Sequence, residues 1–364
     1  GATPHDQLPQ RNQRRQPRSG IGKKMTRLIP ITGLAREEWL QQRTKGIGGS
    51  DVAAALGLSP WRTQVELWQD KRGEGEPQPA TDSMHFGTIL EDIVAKEFQE
   101  RTGMKVQRVG YTFVDGEGDW MRANIDRAVV MPEIQKNVRP AKDPKEGEPL
   151  ITTDAILECK TASAYASGLW GESQEDEIKA GKVVTEHEIP LYYETQVQWY
   201  MRLTGVHVCY VAVLIGGNDF RMYKVDRNED AINAIVSTLR AFWFDNVLGG
   251  KAPEPKGMDD IRHLYRREVG PMVEATPEAA IAIGEYRQLK DKATSIKDQM
   301  EAVATKIAGF IGENEGILIG GEKAATFKSQ SRATFNAKQL KADDPELWAQ
   351  YAGRSEPSRI LRVY

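Results

Sequence analysis

A carboxylate and an ammonium group stand two residues apart in a strand-like stretch of the sequence, at Glu158 and Lys160. Residues 151–161 predict a strand, and successive strand side chains point to opposite faces, so these two groups share one face while Cys159 points to the other. Burying such a pair is costly unless both charges have partners, and a metal ion with a polarised water would provide them. A local salt bridge at a strand end is the alternative.

Two further acidic residues come from separate predicted elements. Glu91 projects from the inward apolar stripe of a helix predicted from Phe86 to Thr102. Asp126 lies in a strand predicted from Met121 to Val130. A carboxylate on an inward apolar stripe needs a partner for its charge. The alternative for Glu91 is a position at the edge of the stripe, from which its side chain reaches water.

Three carboxylates from separated segments are too many for one lysine to neutralise, which indicates a divalent cation. Mg²⁺ prefers oxygen ligands and takes a few carboxylates together with phosphate oxygens. The backbone carbonyl of Cys159 is a further candidate ligand. We therefore expect one metal ion, or a pair ~3.5–4 Å apart, beside a phosphodiester, with Lys160 stabilising the charge that develops.

A glycine-rich stretch nearer the N-terminus has the composition of a phosphate site. Gly46 to Ser50 precedes a short apolar run, so Ser50 is predicted to cap a helix. Arg43 and the Ser50 hydroxyl would add donors to the unpaired N–H groups of the helix start. An ordinary capped helix is the alternative, and the absence of a Gly-Lys-Ser/Thr ending excludes a nucleotide P-loop.

The order of the predicted elements indicates an α/β core followed by an extension. Gln196 lies on a predicted helix, four residues before Tyr200 on the same face. Gly249 and Gly250, followed by prolines, mark a boundary. The remaining predicted elements are strands at 106–114, 206–215 and 220–225, helices at about 190–204 and 229–248, a hairpin at 317–330, a short helix at 340–351 and a strand at 360–363.

Composition narrows the class of protein. The chain has 364 residues, 40% of them hydrophobic, and a net charge of −3, so a nucleic-acid partner would need a local basic surface. Its two cysteines, Cys159 and Cys209, lie in apolar runs, which favours buried thiols in a reducing cytoplasm. The sequence contains no run of about 18 apolar residues and no signal start, so we expect neither a membrane association nor export.

Three regions are predicted. Residues 1–24 have the composition of a disordered basic arm or a cloning remnant, 25–250 form the core and 251–364 form the extension. In the extension, apolar residues recur at intervals of three and four, as in a coiled coil, at Tyr286, Leu289, Ala293, Ile296, Met300, Val303, Ile307 and Phe310. Packing against the core and self-association are equally compatible with this seam.

Five short motifs in order, spanning roughly Arg43 to Val225, resemble the YqaJ / bacteriophage lambda exonuclease family of PD-(D/E)xK recombination nucleases. The matching pieces are Arg43-x-x-x-Ile47-x-x-Ser50, Phe86-Gly87-x-x-x-Glu91, Asn124-x-Asp126, Ile156-Leu157-Glu158-Cys159-Lys160-Thr161 and Gln196-Val197-Gln198-Trp199-Tyr200-Met201. The resemblance implies a restriction-endonuclease-like core, in which helices flank a mixed central sheet, with a C-terminal extension of helices and a β-hairpin.

The resemblance also implies roles for individual residues. The predicted ligands of Mg²⁺, two ions for which Mn²⁺ can substitute, are Glu91, Asp126, Glu158 and the Cys159 carbonyl. Lys160 would be the catalytic lysine, acting with Glu158 and Asp126, and Gln196 would orient the lysine or the water. Arg43 and Ser50 would bind a DNA 5′-phosphate.

The activity implied by the resemblance is Mg²⁺-dependent, 5′ to 3′ exonuclease digestion of linear double-stranded DNA. Its 3′ overhangs would serve phage-type recombination by single-strand annealing, in the cytoplasm of a bacterial host. The implied partners are double-stranded DNA ends and a single-strand annealing protein, and the implied assembly is a homotrimer. The alternatives are a RecB-like or endonucleolytic nuclease, since Gln196-x-x-x-Tyr200 also resembles that group, and a non-catalytic scaffold that binds DNA ends.

Two departures from the family pattern bear on these roles. The 32-residue gap between Asp126 and Glu158 is long, so Asp154 is a rival for the first acidic ligand. No arginine lies between Lys160 and Met201, where the family places one, and Lys179 or Lys182 is the candidate to replace it.

Overall fold

A computed structural model of the chain shows two compact units, Gly1–His263 and Leu264–Tyr364. The predicted basic arm at 1–24 lies outside the described residues. The structure describes residues 26–31, 33, 36–75, 81–115, 119–131, 137–145, 148–182, 188–353 and 358–364. Across these ranges, no helix combines the length and the apolar character needed to cross a membrane.

The first unit contains the elements that carry the predicted chemistry. Its strands are β1 (Arg27–Pro30), β2 (Val106–Gln107), β3 (Tyr111–Asp115), β4 (Met121–Ala123), β5 (Arg127–Val129), β6 (Ala155–Ala162), β7 (Val208–Ile215) and β8 (Asp219–Asp226). Its helices are α1 (Arg36–Thr44), α2 (Gly49–Ala55), α3 (Gln64–Lys71), α4 (Asp82–Thr102), α5 (Glu175–Lys179), α6 (Leu191–Thr204), α7 (Glu229–Ala241) and α8 (Met258–Leu264).

The main sheet of the described residues has the order β2-β5-β6-β7-β8. Strands β6 and β7 are parallel and joined through α6, whereas the other neighbouring pairs are antiparallel. Helix α4 packs against β6 and β7, where Val94 and Phe98 meet Leu157 and Cys159 in a buried cluster. This mixed sheet flanked by helices confirms the predicted α/β fold class.

The long helices end where the sequence predicts. Gly103 and Gly205 follow α4 and α6 in the left-handed region, with φ of 72° and 79°, which residues with a side chain rarely adopt. Helix α3 begins with the capping box of Thr63 and Glu66, in which each side chain binds the other residue's amide. The terminal glycines and the capping box involve only residues close together in the sequence, so a local pattern is enough to predict them.

The predicted continuous strands at 106–114 and 121–130 are wrong. Each breaks in two, because β3 pairs with both β1 and β4 in a second sheet, while β2 and β5 join the main sheet. Asn124 to Asp126 therefore forms the link between β4 and β5 and is not part of a strand. The sequence also predicts a glycine-rich turn at 115–118 between these two strands. Asp115 is the last residue of β3, and 116–118 lie outside the described residues.

The second unit contains the predicted long helix and hairpin. Its elements are α9 (Pro277–Ile311), β9 (Gly316–Ile319), β10 (Glu322–Thr326), α10 (Ala337–Asp343) and α11 (Pro345–Tyr351). The predicted helix at 340–351 is two helices, because Asp344 leaves helical geometry and caps α11. The predicted strand at 360–363 is wrong, since those residues take no regular structure.

Candidate active site

Strand β6 delivers the carboxylate and the ammonium group to one face of the main sheet. Leu157 and Cys159 point into the α4 core, so the alternation of side chains places Glu158 and Lys160 on the opposite face. The Lys160 Nζ donates to Glu158 Oε1 at 2.6 Å, and the Glu158 side chain is only 3% exposed. The pair is therefore largely withdrawn from water.

Gln196 on α6 connects the two charged groups. Its Nε2 donates to Glu158 Oε1 at 2.7 Å and to the Tyr200 hydroxyl at 2.8 Å. Lys160 in turn donates to Gln196 Oε1 at 3.2 Å. Because Tyr200 lies one helical turn after Gln196, the helix itself fixes the amide that orients the lysine.

Asp126 reaches this site because it lies immediately before β5, which begins at Arg127. The ladder between β5 and β6 stops at the pair of Arg127 and Leu157, and beyond it Asp126 Oδ2 accepts the Cys159 N–H at 2.8 Å. The N–H and C=O of one strand residue point to the same side, so the Cys159 carbonyl also faces this open edge of β6. Asp126 and that carbonyl thus lie together.

The two carboxylates of the site oppose each other electrostatically. Burial raises the pKa of Asp126 well above its usual range, and the neighbouring Glu158 charge raises it further. Burial alone would lower the pKa of Lys160, but Glu158 and Asp126 outweigh it, so its pKa lies above the usual value. One ammonium group, firmly protonated, therefore faces two carboxylates.

One atom of the site lacks a partner. Among the side chains of the described residues, Glu158 Oε2 is buried and accepts no hydrogen bond. A buried carboxylate oxygen without a donor is costly, and a cation bound there would satisfy it. Together with the Asp126 carboxylate and the Cys159 carbonyl, this atom gives an oxygen donor set that suits a hard divalent cation.

Glu91 is placed differently from the other predicted ligands. It lies near enough to add to the rise in the pKa of Asp126, but its carboxylate pairs with Arg127, which also binds Asp92. In the described ranges, no three His, Cys, Asp or Glu side chains are grouped so that they could hold a metal ion. The structure thus brings Asp126 and Glu158 together and leaves Glu91 paired with an arginine.

The rival ligand Asp154 is engaged elsewhere. Its Oδ1 accepts the backbone N–H of His207 at 3.0 Å and lies 2.7 Å from His207 Nδ1. Asp154 also precedes β6, whereas Glu158 and Lys160 lie within it. The geometry therefore favours Asp126 over Asp154.

Arg43 and Ser50 line a cavity that shares Tyr200 with the site. Arg43 Nη2 donates to Ser50 Oγ at 2.7 Å. Tyr200 links the cavity to the site, and at Gly49 any Cβ would lie 2.2 Å from the Tyr200 ring, so only glycine fits. The lining residues are Ile31, Gln42, Arg43, Gly48, Gly49, Ser50, Asp51, Thr112, Arg122, Asn124 and Tyr200.

The predicted cap at Ser50 is wrong. Helix α2 begins at Gly49, and the Asp51 carboxylate accepts the N–H of the capping residue Gly48 at 3.0 Å. Because α2 begins at Gly49, Ser50 is the second residue of the helix and not its cap. Its hydroxyl accepts a hydrogen bond from Arg43 instead.

Two residues of the site were not predicted from the sequence. Lys71 is buried on α3 and donates to Asp51 Oδ2 at 2.6 Å and to the Arg43 carbonyl at 2.7 Å. Tyr193 lies one turn before Gln196, with its ring 4.8 Å from Lys160 Nζ. Helical spacing from Leu67 and from Gln196 would have placed both residues on inward faces.

A mixed sheet flanked by helices, with acidic groups and a lysine on one strand, defines an α/β protein with a candidate active site on its sheet. The family described as the YqaJ-like viral recombinase domain matches residues 38–207. A relative from Bacillus subtilis (strain 168), the uncharacterized protein YqaJ, is 33% identical over 323 residues, covering 86% of this chain and 90% of that protein. The chain belongs to the YqaJ family.

Two solved structures show weaker similarity. An alkaline exonuclease (LHK-Exo) from Laribacter hongkongensis is 20% identical, with 57% of this chain and 91% of that chain covered and a TM-score of 0.36. A phage-related exonuclease from Haemophilus somnus 129PT is 12% identical, with 58% of this chain and 99% of that chain covered and a TM-score of 0.37.

Proposed function

We propose that this protein is a metal-dependent deoxyribonuclease that digests linear double-stranded DNA from its 5′ ends. The observation that supports the proposal is the buried Glu158 Oε2, which has no hydrogen-bond partner and lies near Asp126. Lys160, which donates a hydrogen bond to Gln196, completes the site. Membership of a family described as viral recombinases supports a role in DNA recombination.

Magnesium fits the oxygen donors of Asp126, Glu158 and the Cys159 carbonyl, and Glu91 would join them only by leaving Arg127. When bound, one or two Mg²⁺ ions would neutralise the carboxylate pair and act as Lewis acids on the phosphodiester, a role that Mn²⁺ could also fill. Lys160 would donate a hydrogen bond to the phosphoryl oxygen on which charge develops. Gln196 would keep the ammonium group pointed at that oxygen.

Arg43 and Ser50 would bind the 5′-phosphate of the end being digested, because a guanidinium and a hydroxyl are both donors to phosphate. Hydrolysis of the next P–O3′ bond would release a mononucleotide and leave a new 5′-phosphate for the following cycle. The 3′ overhang would pass to a single-strand annealing protein, and we propose a homotrimer as the working assembly.

A digestion time course of linear duplex DNA, labelled separately at each end, tests the activity. We expect mononucleotides from the 5′ label first, retention of the 3′ label, and no products in EDTA. Lys160→Ala should reduce the rate by about 10³-fold, because it removes a charge that stabilises the transition state in a dry site. Equal digestion of closed circles would indicate an endonuclease, and full activity of Lys160→Ala would overturn the proposal.

The 5′-phosphate pocket is tested with the same substrate, either phosphorylated or bearing a 5′-hydroxyl. Arg43→Ala should remove the preference for phosphorylated ends and leave the rate on hydroxyl ends unchanged. An equal loss of rate on phosphorylated and hydroxyl ends would refute the phosphate pocket. It would not bear on the proposal that the protein is a nuclease.

A further inference from the structure

Trp61 is a large exposed aromatic residue on the loop between α2 and α3. Its side chain is 67% exposed, although its backbone is fixed. The Ser59 hydroxyl accepts the N–H groups of both Trp61 and Arg62 at 3.2 Å, and the α3 capping box begins at Thr63. An exposed indole on a fixed backbone offers a flat aromatic face to a ligand.

The Trp61 ring is the outer member of an aromatic cluster. It contacts Tyr192 edge-on, with ring centroids 4.9 Å apart, and lies 6.1 Å from the Tyr193 centroid. Beneath them, the buried Trp170 packs on Tyr193 at 5.4 Å. We refer to Trp61, Tyr192 and Tyr193 as the aromatic platform, and its inner side is anchored in the core.

The aromatic platform adjoins the candidate active site. Lys160 Nζ lies over the Tyr193 ring at 4.8 Å, and Tyr193 precedes Gln196 by one turn of α6. One ring, that of Tyr193, therefore separates the lysine ammonium from Trp61. If the phosphate of a nucleotide contacted Lys160, its base would reach about as far from that phosphate as the Trp61 ring lies from Lys160.

We propose that the aromatic platform binds an unpaired nucleobase of the DNA end, stacked against Trp61, from a nucleotide next to the phosphodiester at Lys160. Every base presents a π-face, so such a platform accepts any sequence, as a general nuclease requires. A cation for the neighbouring phosphate is Lys160, whose Nζ lies over the Tyr193 ring, whereas the Arg62 guanidinium is paired with Asp70 at 3.0 Å. This inference rests on the proposed function for its choice of ligand.

The test measures binding of a short single-stranded oligothymidylate with a 5′-phosphate, in EDTA so that no cleavage occurs. The first, second or third nucleotide is replaced in turn by an abasic residue, and affinity is read by fluorescence anisotropy. For the wild-type protein, the abasic residue at one of these positions should weaken binding by about tenfold, the scale of one stacked base. For Trp61→Ala, the same replacement should have no effect.

Two further variants separate stacking from a general structural role. Trp61→Phe should restore part of the base dependence, because a smaller ring still stacks. Tyr265→Ala, at another exposed aromatic side chain outside the platform, should behave as the wild type does. A base dependence that Trp61→Ala leaves unchanged, or the lack of any base dependence, would overturn the inference.

Failure of this inference and failure of the proposed function give different results. A protein that digests DNA but shows no Trp61-dependent discrimination against abasic ends would retain its function and lose the platform. Trp61-dependent discrimination without metal-dependent digestion would support the platform and refute the nuclease.

Discussion

The buried carboxylates of Asp126 and Glu158 lie beside a single lysine. Their mutual repulsion lowers the free energy of unfolding in the absence of a ligand, and a bound cation would relieve it. Asp126→Asn removes one of the opposing charges, and an asparagine oxygen can still accept the Cys159 N–H. In EDTA, we expect the substitution to raise the free energy of unfolding, because the folded protein no longer holds a carboxyl group whose pKa is raised by burial and by Glu158. Urea denaturation measures this, and digestion in Mg²⁺ should be lost.

Asp115 provides the matched control for this prediction. It is also a buried aspartate, but it pairs with a cation, Arg202, at 3.1 Å. Asp115→Asn should therefore lower the free energy of unfolding, since it weakens an attraction. If Asp126→Asn destabilises the protein as Asp115→Asn does, the two site carboxylates do not repel each other as described.

The contact between helices α2 and α3 depends on a buried ion pair. The side chains of Lys71 and Asp51 are 1% and 4% exposed, and Lys71 also binds the Arg43 carbonyl. Lys71→Met leaves the Asp51 charge buried without its partner, so we expect the free energy of unfolding to fall by about 3–5 kcal/mol. Lys96→Met, at an exposed pair on α4, should cost less than about 1 kcal/mol.

The same pair gives a pH dependence with a defined sign. Burial alone would raise the pKa of Asp51, but Lys71 and Arg43 outweigh it and hold its pKa below the ordinary value of 3.8. Its contribution to stability is therefore fully present above pH 3.8 and is lost as the pH falls through the lowered pKa. The difference in stability between the wild type and Lys71→Met should shrink in acid, and a constant difference would contradict this assignment.

The elements that the sequence predicted well are those whose signals are local. Helices α4 and α6 have apolar periodicity and a glycine at the end, and β7 is a continuous apolar run. The strands at 106–114 and 121–130 were predicted too long, because each breaks where the chain passes from one sheet to the other, which no local pattern encodes.

The candidate site was predictable in its residue types and less so in its contacts. Alternation along β6 correctly places Glu158 and Lys160 on one face, and helical spacing places Gln196 beside Tyr200. The pairing of Glu91 with Arg127 requires knowing that β5 passes beside α4, and the role of Lys71 requires knowing where α2 lies. Such contacts between distant segments follow from tertiary packing alone.

The apolar seam of helix α9, in the second unit, has two interpretations, packing against the core and self-association. Its 35 residues carry the seam over more than three heptads. Ile296, Met300 and Val303 on this seam are 57%, 67% and 54% exposed. A long exposed apolar stripe on one helix face is typical of a surface that binds another chain. We therefore expect the seam to associate with its equivalent in other copies.

The double substitution Met300→Glu and Val303→Glu places like charges at two neighbouring seam positions, so it should convert the oligomer to a monomer in sedimentation velocity experiments. Ser295→Glu with Thr305→Glu adds the same charge away from the seam and should leave the assembly unchanged. A monomeric wild type would refute self-association through α9. If the wild type is a trimer and the Met300 and Val303 variant remains one, the trimer forms through another surface, and α9 has a different partner.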